Sequence, residues 1–309
     1  MPLMPRFFLI LVLLAGFFYS FGISQERIPA AQPIVLARQE ICAEPWMCRD
    51  DQALTTIQEA TARGERPLRI ASYNVHKCTG MDARRDVDRI ARVIRSLDAD
   101  IISLQEVLSD TGDVPSAQVH YLAEQTGMYA AVAGPTKRKK DGLYGNALLS
   151  RFPINEVRLH DITFGTHEPR GVIDADITIA GLTVRVIATH FGLWPSERKR
   201  QADRLLEIVR ERPGSPLIVM GDMNGWVPGS PIARRLKKRL GNPVSMGSFP
   251  SFFALLPLDK IWVLPSEHRI QGGVHRSELA RVASDHLPLV ASVYLQSLSS
   301  AVTSTASSL

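Results

Sequence analysis

Six separate stretches of this chain end a run of apolar residues with a side chain that can do chemistry. Ile70-Ala71-Ser72-Tyr73 leads into Asn74, Ile101-Ile102-Ser103-Leu104-Gln105 into Glu106, and Val186-Ile187-Ala188-Thr189 into His190. Val219-Met220-Gly221 leads into Asp222 and Asn224, Asp259 stands in Leu258-Asp259-Lys260-Ile261-Trp262, and Asp285-His286 precedes Leu287-Pro288-Leu289. Short apolar runs of this kind read as buried strands, and polar groups at strand tips are how an α/β scaffold presents a reactive site. The inventory is carboxylates, amides and imidazoles, with no outstanding Ser or Cys nucleophile. It suits hydrolysis of a phosphate ester with a divalent cation. That reaction needs charge neutralisation on the phosphoryl oxygens, an activated water and support for the leaving oxygen.

Several roles follow from the residue types. Glu106, fixed at the end of a buried strand, is the best hard-oxygen ligand for Mg²⁺, and the neutral Asn74 can orient that carboxylate or a water on the cation. Asp222 and Asn224, two apart in extended chain, face the same side; they also fit an Asx turn closing the strand, and the two readings coexist. Asp259 and His286 read as an acid–imidazole pair in which the carboxylate holds the tautomer and raises the ring's basicity. Arg170, between Pro169 and Gly171, is either a clamp on a phosphate oxygen or a plain surface arginine. Asn146 either orders the site or serves a turn at a strand start. Lys137-Arg138-Lys139-Lys140 reads as a basic loop, either solvated or meeting nucleic acid or anionic lipid headgroups. Nothing calls for chemistry at Cys78.

Strands and helices alternate between residues 67 and 295. Strands are expected at 68–74, 100–105, 129–133, 146–150, 172–179, 183–189, 217–220, 258–263 and 287–294. Helices are expected at 83–97 behind an Asp82 cap, at 116–126, from a Ser196 cap to Arg210, and at 230–240. Strands beside strands with helices interspersed point to a mixed sheet, or a pair of sheets flanked by helices, rather than a purely parallel one. At 309 residues with 45% hydrophobic content the chain is long enough for one large domain with a real core. The net charge of +5 favours anionic partners without naming one.

Upstream, Arg6 and the amine precede an apolar run, Phe7 to Tyr19, as in a signal peptide or an N-terminal membrane anchor over residues 1–23. The expected location is therefore outside the cytoplasm, periplasmic or secreted, with a membrane contact through residues 7–23. Residues 24–66 read as a connector carrying a short helix at 54–62, with Cys42 and Cys48 as a candidate disulfide, and residues 296–309 as a disordered tail. A monomer is the default.

Taken together, Ser-Tyr-Asn-Val at 72–75, Leu-Gln-Glu-Val at 104–107, Gly-Asn-Ala-Leu-Leu-Ser-Arg at 145–151, Ala-Thr-His-Phe at 188–191, Gly-Asp-Met-Asn at 221–224, Leu-Asp-Lys-Ile at 258–261 and Ser-Asp-His-Leu-Pro at 284–288 resemble, in order, the endonuclease/exonuclease/phosphatase superfamily. The resemblance implies an α/β (α+β) fold, a four-layer αββα sandwich of two mixed sheets flanked by helices with its site at one end. It implies a metal-dependent phosphoric ester hydrolase using Mg²⁺, with Mn²⁺ as an alternative. On it Asp222 orients or deprotonates the attacking water, and Asn224 donates to the phosphate. His286 is either a general base or, protonated, a phosphate stabiliser. Asp285 binds or orients the metal, and His190 faces the phosphate or the leaving oxygen. One departure is His76, where several nucleases of the family carry an acidic residue; a phosphate contact is the expectation there. A phosphodiesterase on nucleic acid or phospholipid leads. A phosphomonoesterase on inositol or sugar phosphates shares the residues, and a non-catalytic binding or scaffold protein is the competing class.

Overall fold

The computed structural model describes residues 26–28, 33–36, 41, 51–110, 118–140, 142–213, 216–265 and 270–294. The leader, Cys42, Cys48 and the tail lie outside the described residues. Among the described residues, no helix is long and apolar enough to cross a membrane.

Thirteen strands in these residues make two sheets. Sheet I runs β1 (Glu26–Arg27), β5 (Ala130–Lys139), β6 (Gly142–Ser150), β4 (Ile101–Asp110), β3 (Leu68–Asn74), β13 (Leu289–Val293), β12 (Gln271–Val274), and β2 (Ile34–Leu36) also pairs with β5. Sheet II runs β11 (Asp259–Leu264), β10 (Leu217–Asp222), β9 (Leu182–His190), β8 (Gly171–Ile179), β7 (Ile154–Asp161). Both are mixed, since β3–β4 and β9–β10 are parallel and the other pairs antiparallel.

The period of two along each strand builds the layers. Leu68 and Ile70 of β3 turn inward to meet Ile173, Ala175, Val186, Met220 and Ile261 of sheet II. Their neighbours Ala71 and Tyr73 face outward onto α2 (Val87–Leu97), α3 (Gln118–Thr126) and α6 (Glu278–Ala283). Sheet II buries Ile187, Val219 and Trp262 against α4 (Pro195–Glu211) and α5 (Pro231–Leu240). The result is the four-layer αββα sandwich; α1 (Asp51–Ala62) precedes β3.

Several local expectations are corrected. Helix α2 begins at Val87, and its cap is Asp86, which accepts from Arg89 N at 2.8 Å; Asp82 instead ion-pairs with the Arg89 guanidinium. Helix α4 starts at Pro195, a residue that suits the first helical position because its missing N–H has no partner to lose, so Trp194 and not Ser196 is the cap. Lys137, Arg138 and Lys139 of the basic run are the end of strand β5, and only Lys140 lies in the turn after it. Parts of the segment read as a connector are built in, since β1 and β2 pair with the edge of β5; the short helix expected at 54–62 is α1.

Candidate active site

Register brings the strand-end residues together. In sheet I, Asn74 pairs with Gln105 across the parallel β3–β4 ladder, and β13 runs back so that Leu289 lies opposite Ser72, just after Asp285 and His286. In sheet II, Asp222 is aligned with His190 on one side and Asp259 on the other. The close approach has a strict requirement at Gly221, whose φ is 151° and where a Cβ would sit 1.9 Å from Thr189 O. Glu106 sits at a bulge in β4, where the register slips between Leu104 and Val107, with φ at 59°. A left-handed non-glycine residue at a bulge is strained backbone of the kind that re-aims a side chain.

Asp222 Oδ2 is the common focus. Asn74 Nδ2 donates to it at 3.3 Å, His190 Nε2 lies at 3.5 Å and His286 Nε2 at 3.6 Å. Asp222 Oδ1 is occupied by Asn224 N–H at 2.8 Å, the Asx turn read from sequence. Burial raises the Asp222 carboxyl to about 6, with the charge of Asp259 adding to it against the pull of His286. His286 Nδ1 donates to Asp259 Oδ2 at 2.9 Å, and the same oxygen accepts Ser248 Oγ at 2.6 Å. Burial works against the His286 charge, but Asp259 and Asp222 outweigh it and raise the ring to about 10. The ring is an imidazolium at neutral pH, which favours the stabilising role over the general base.

His190 is the opposite case. Burial, and then the charge of Arg170, hold it well below the ordinary histidine value, so the ring is neutral. Arg170 Nη1 lies 2.8 Å from His190 Nδ1. Arg170 is therefore a buried site residue and not a surface arginine. A neutral imidazole accepts at one nitrogen only, and a guanidinium only donates, so Nε2 carries the proton. Asn224 Nδ2, which donates to Phe191 O at 2.8 Å, stands 3.1 Å from that same Nε2. Two donors thus converge where an acceptor oxygen would satisfy both.

A basic flank adjoins them. Lys137 and Lys139 share one face of β5, both over the Tyr144 ring, at 4.6 and 3.6 Å from its centroid. Lys137 pairs with Glu168 at 2.6 Å, which in turn is 3.6 Å from Arg170. Burial, and then Lys137 and Lys77, lower Lys139 to about 8. Sequence reading singled out Lys137 and Lys139 only as part of a basic loop, and missed Tyr144, Glu168 and Ser248. The i,i+2 spacing of Lys137 with Lys139 and of Glu168 with Arg170 was the available signal.

Glu106 and Asn74 also meet, with Asn74 Nδ2 donating to Glu106 Oε1 at 3.3 Å. Asn74 Oδ1 accepts from His76 N–H at 3.1 Å, so its amide acts as a bracket between two carboxylates. Burial raises the Glu106 carboxyl, but the basic groups around it, with Arg170 the permanent cation among them, outweigh it and bring it down to about 2. Asp285 Oδ1 accepts from Ser284 Oγ at 3.3 Å and lies 4.0 Å from His76 Nδ1. Asn146 is inside β6 rather than at its start, and its amide donates to Gly171 O at 3.0 Å, tying sheet I to the residue beside Arg170. The Cys78 thiol is buried and pushed up to about 12, hence a neutral thiol at neutral pH.

A cation fits this site through Glu106, whose Oε2 is buried with no hydrogen-bond partner while its carboxylate is held ionised. Among the described residues, no three His, Cys, Asp or Glu side chains form a metal-holding group. Mg²⁺ is commonly held by one or two carboxylates and keeps much of its water.

An αββα sandwich with these strand ends defines a class of phosphoester hydrolases. Residues 71–286 match the Endonuclease/Exonuclease/phosphatase family, and the chain belongs to it. Among its relatives, the uncharacterized protein YbhP of Escherichia coli K12 is 30% identical over 249 residues, covering 74% of this chain and 96% of that one. An endonuclease/exonuclease/phosphatase from Beutenbergia cavernae has the same fold, with a TM-score of 0.60 at 23% identity over 74% of this chain and 72% of that one. A mannosyl-6-phosphatase of Bacteroides thetaiotaomicron superposes with a TM-score of 0.57 at 19% identity over 72% of this chain and 98% of that one.

Proposed function

We propose that the chain is a Mg²⁺-dependent phosphodiesterase acting outside the cytoplasm. The observation that carries the reading is the surround of Asp222 Oδ2: a buried carboxylate raised to about 6, facing two N–H donors that lack a shared acceptor and an imidazolium. A carboxylate raised toward neutrality is a better general base than an ordinary one. Asp222 Oδ2 takes a proton from the attacking water. His190 Nε2–H and Asn224 Nδ2–H receive a phosphoryl oxygen, and the His286 cation stabilises the negative charge that builds up. Asn74 holds the Asp222 and Glu106 carboxylates in place. Glu106, with Asp285, would hold the divalent cation, Mg²⁺ or Mn²⁺, which when bound neutralises charge on the phosphoryl oxygens. The apolar run after Arg6 supports export.

The test is turnover of bis(p-nitrophenyl) phosphate and of p-nitrophenyl phosphate by the purified chain, with Mg²⁺ and with EDTA. Diester hydrolysis that needs Mg²⁺ and exceeds monoester hydrolysis is the expected result. Faster monoester turnover would make it a phosphomonoesterase, and no turnover of either would overturn the enzymatic reading.

A further inference from the structure

Large apolar side chains stand exposed on the three loops that rim this site. Leu193 and Trp194 follow His190, Trp226 follows Asn224, and Phe252, Phe253 and Leu255 lie in the loop leading to Asp259. Trp194, Phe252, Phe253 and Leu255 are 63%, 58%, 69% and 55% exposed. Because β9, β10 and β11 are neighbours whose ends are in register, the three loops leave the sandwich side by side at the active-site end. Single exposed apolar residues are ordinary, but a cluster of them around a reactive site marks a contact surface.

The tips are held in place by buried polar groups. Gly192 N–H donates to Gln201 Oε1 at 2.8 Å, and Gln201 donates to Glu197 at 3.1 Å, both buried. A Cβ at Gly192 would lie 1.8 Å from Glu197 Cδ, so the chain closes directly onto that carboxylate before presenting Leu193 and Trp194. The second tip is pinned by Ser251, whose N–H reaches Asp285 O at 2.6 Å and whose Oγ reaches Arg281 O at 2.9 Å. A turn from Pro250 O to Phe253 N–H at 2.9 Å follows, and the Phe249 ring lies 4.9 Å from that of His286. The fold orders these loops and still leaves their largest apolar groups facing water.

We infer that the rim is a bilayer-docking face and that the substrate is a phospholipid, whose headgroup phosphodiester enters the site from the membrane surface. The inference rests on the phosphodiesterase reading above. Four observations select a bilayer over other occupants. Leu193 and Leu255 stand among the aromatics; aliphatic tips enter the headgroup–acyl boundary but cannot stack on bases as a nucleic-acid platform would. Tryptophan is at home at that boundary. Lys139, half-buried against the Tyr144 ring, supplies a cation on the flank of the site, complementary to lipid phosphates. The apolar run Phe7 to Tyr19 fits a chain brought to a membrane.

The experiment uses the full chain with vesicles of phosphatidylcholine and phosphatidylglycerol, with and without brominated acyl chains. In a Trp46→Phe background, brominated lipid is expected to quench tryptophan fluorescence, and Trp194→Phe with Trp226→Phe is expected to remove most of the quenching; Trp262, the fourth tryptophan, is buried. Phe252→Ser with Phe253→Ser is expected to lower vesicle hydrolysis about tenfold while leaving bis(p-nitrophenyl) phosphate turnover unchanged. The N-terminal run is present in every variant, so it cannot account for a difference between them. Quenching unaffected by loss of the two tryptophans, or vesicle hydrolysis unaffected by the serine pair, would overturn the inference. So would a serine pair that weakens DNA cleavage, or one that only abolishes self-association in sedimentation. If wild-type turns over no diester at all, the hydrolase reading fails while the quenching result still decides the docking face.

Discussion

A guanidinium donates at every pH a protein meets, so the 2.8 Å contact from Arg170 assigns the proton of His190 to Nε2, toward Asp222. Arg170→Met keeps the length and loses the donor. It is expected to release the tautomer, which ¹⁵N chemical shifts of the ring report, and to lower kcat by roughly 10–100-fold with little change in KM, as removal of a group that orients a donor should. Unaltered ring shifts would contradict the assignment. A second residue-scale expectation concerns Asp259, whose charge raises both His286 and Asp222. In metal-free wild-type protein His286 is expected to titrate near 10 and Asp222 near 6. Asp259→Asn removes a negative charge that favours the protonated form of each, so both titrations move to lower pH by NMR. Of the site, the strand-tip acids and imidazoles were legible because each follows its own apolar run. The pairing of Asp259 with His286 was legible too, but the neutral state of His190 was not, because it depends on the burial of Arg170 against the ring.

At the scale of elements, one buried arginine joins three of them. Arg185 on β9 pairs with Asp174 on β8 at 2.8 Å and donates to Ile208 O, Val209 O and Arg212 O, capping the end of α4. Asp174→Ala leaves that charge buried without its partner and is expected to cost about 3–5 kcal/mol in urea unfolding at pH 7. Burial alone would raise the Asp174 carboxyl, but the nearby His160 and hydrogen bonds from Arg185 and Arg158 depress it well below the ordinary value. A depressed carboxyl stabilises above its unfolded value of about 4, and the stabilisation is lost as pH falls through the folded one. The gap between wild type and variant is therefore expected to shrink in acid. Strands with unbroken apolar runs were readable at their apolar cores, while β4 runs on to Asp110 and β5 to Lys139, past the expected ends at 105 and 133. Strand β7 was not, because a register shift between Ile154 and Glu156 breaks its alternation; β12 is four residues with two glycines, and α6 only six residues.

For the whole molecule, the order of motifs along the chain identified the layers, since a fold whose site draws on six strand ends leaves six local signatures. What the order could not reveal is how the far N-terminal side joins in. Strands β1 and β2 cover the open edge of β5, with Ile34 and Leu36 packed on the core behind sheet I. Deleting residues 24–40 is expected to lower the melting temperature and to promote aggregation through the uncovered edge, read by light scattering during a thermal ramp. A ramp identical to that of the full chain would show that the pairing contributes nothing. The apolar rim was equally hidden, because Trp194, Phe252 and Phe253 become neighbours of one site only when β9, β10 and β11 align.

The measurement closest to the central claim is Mg²⁺-dependent hydrolysis of bis(p-nitrophenyl) phosphate by wild type and Asp222→Asn, with circular dichroism to establish that both are folded. Loss of the base at the focus of the site predicts a rate lower by about 10²–10⁴-fold with an unchanged spectrum. A folded Asp222→Asn protein with wild-type turnover would contradict the account.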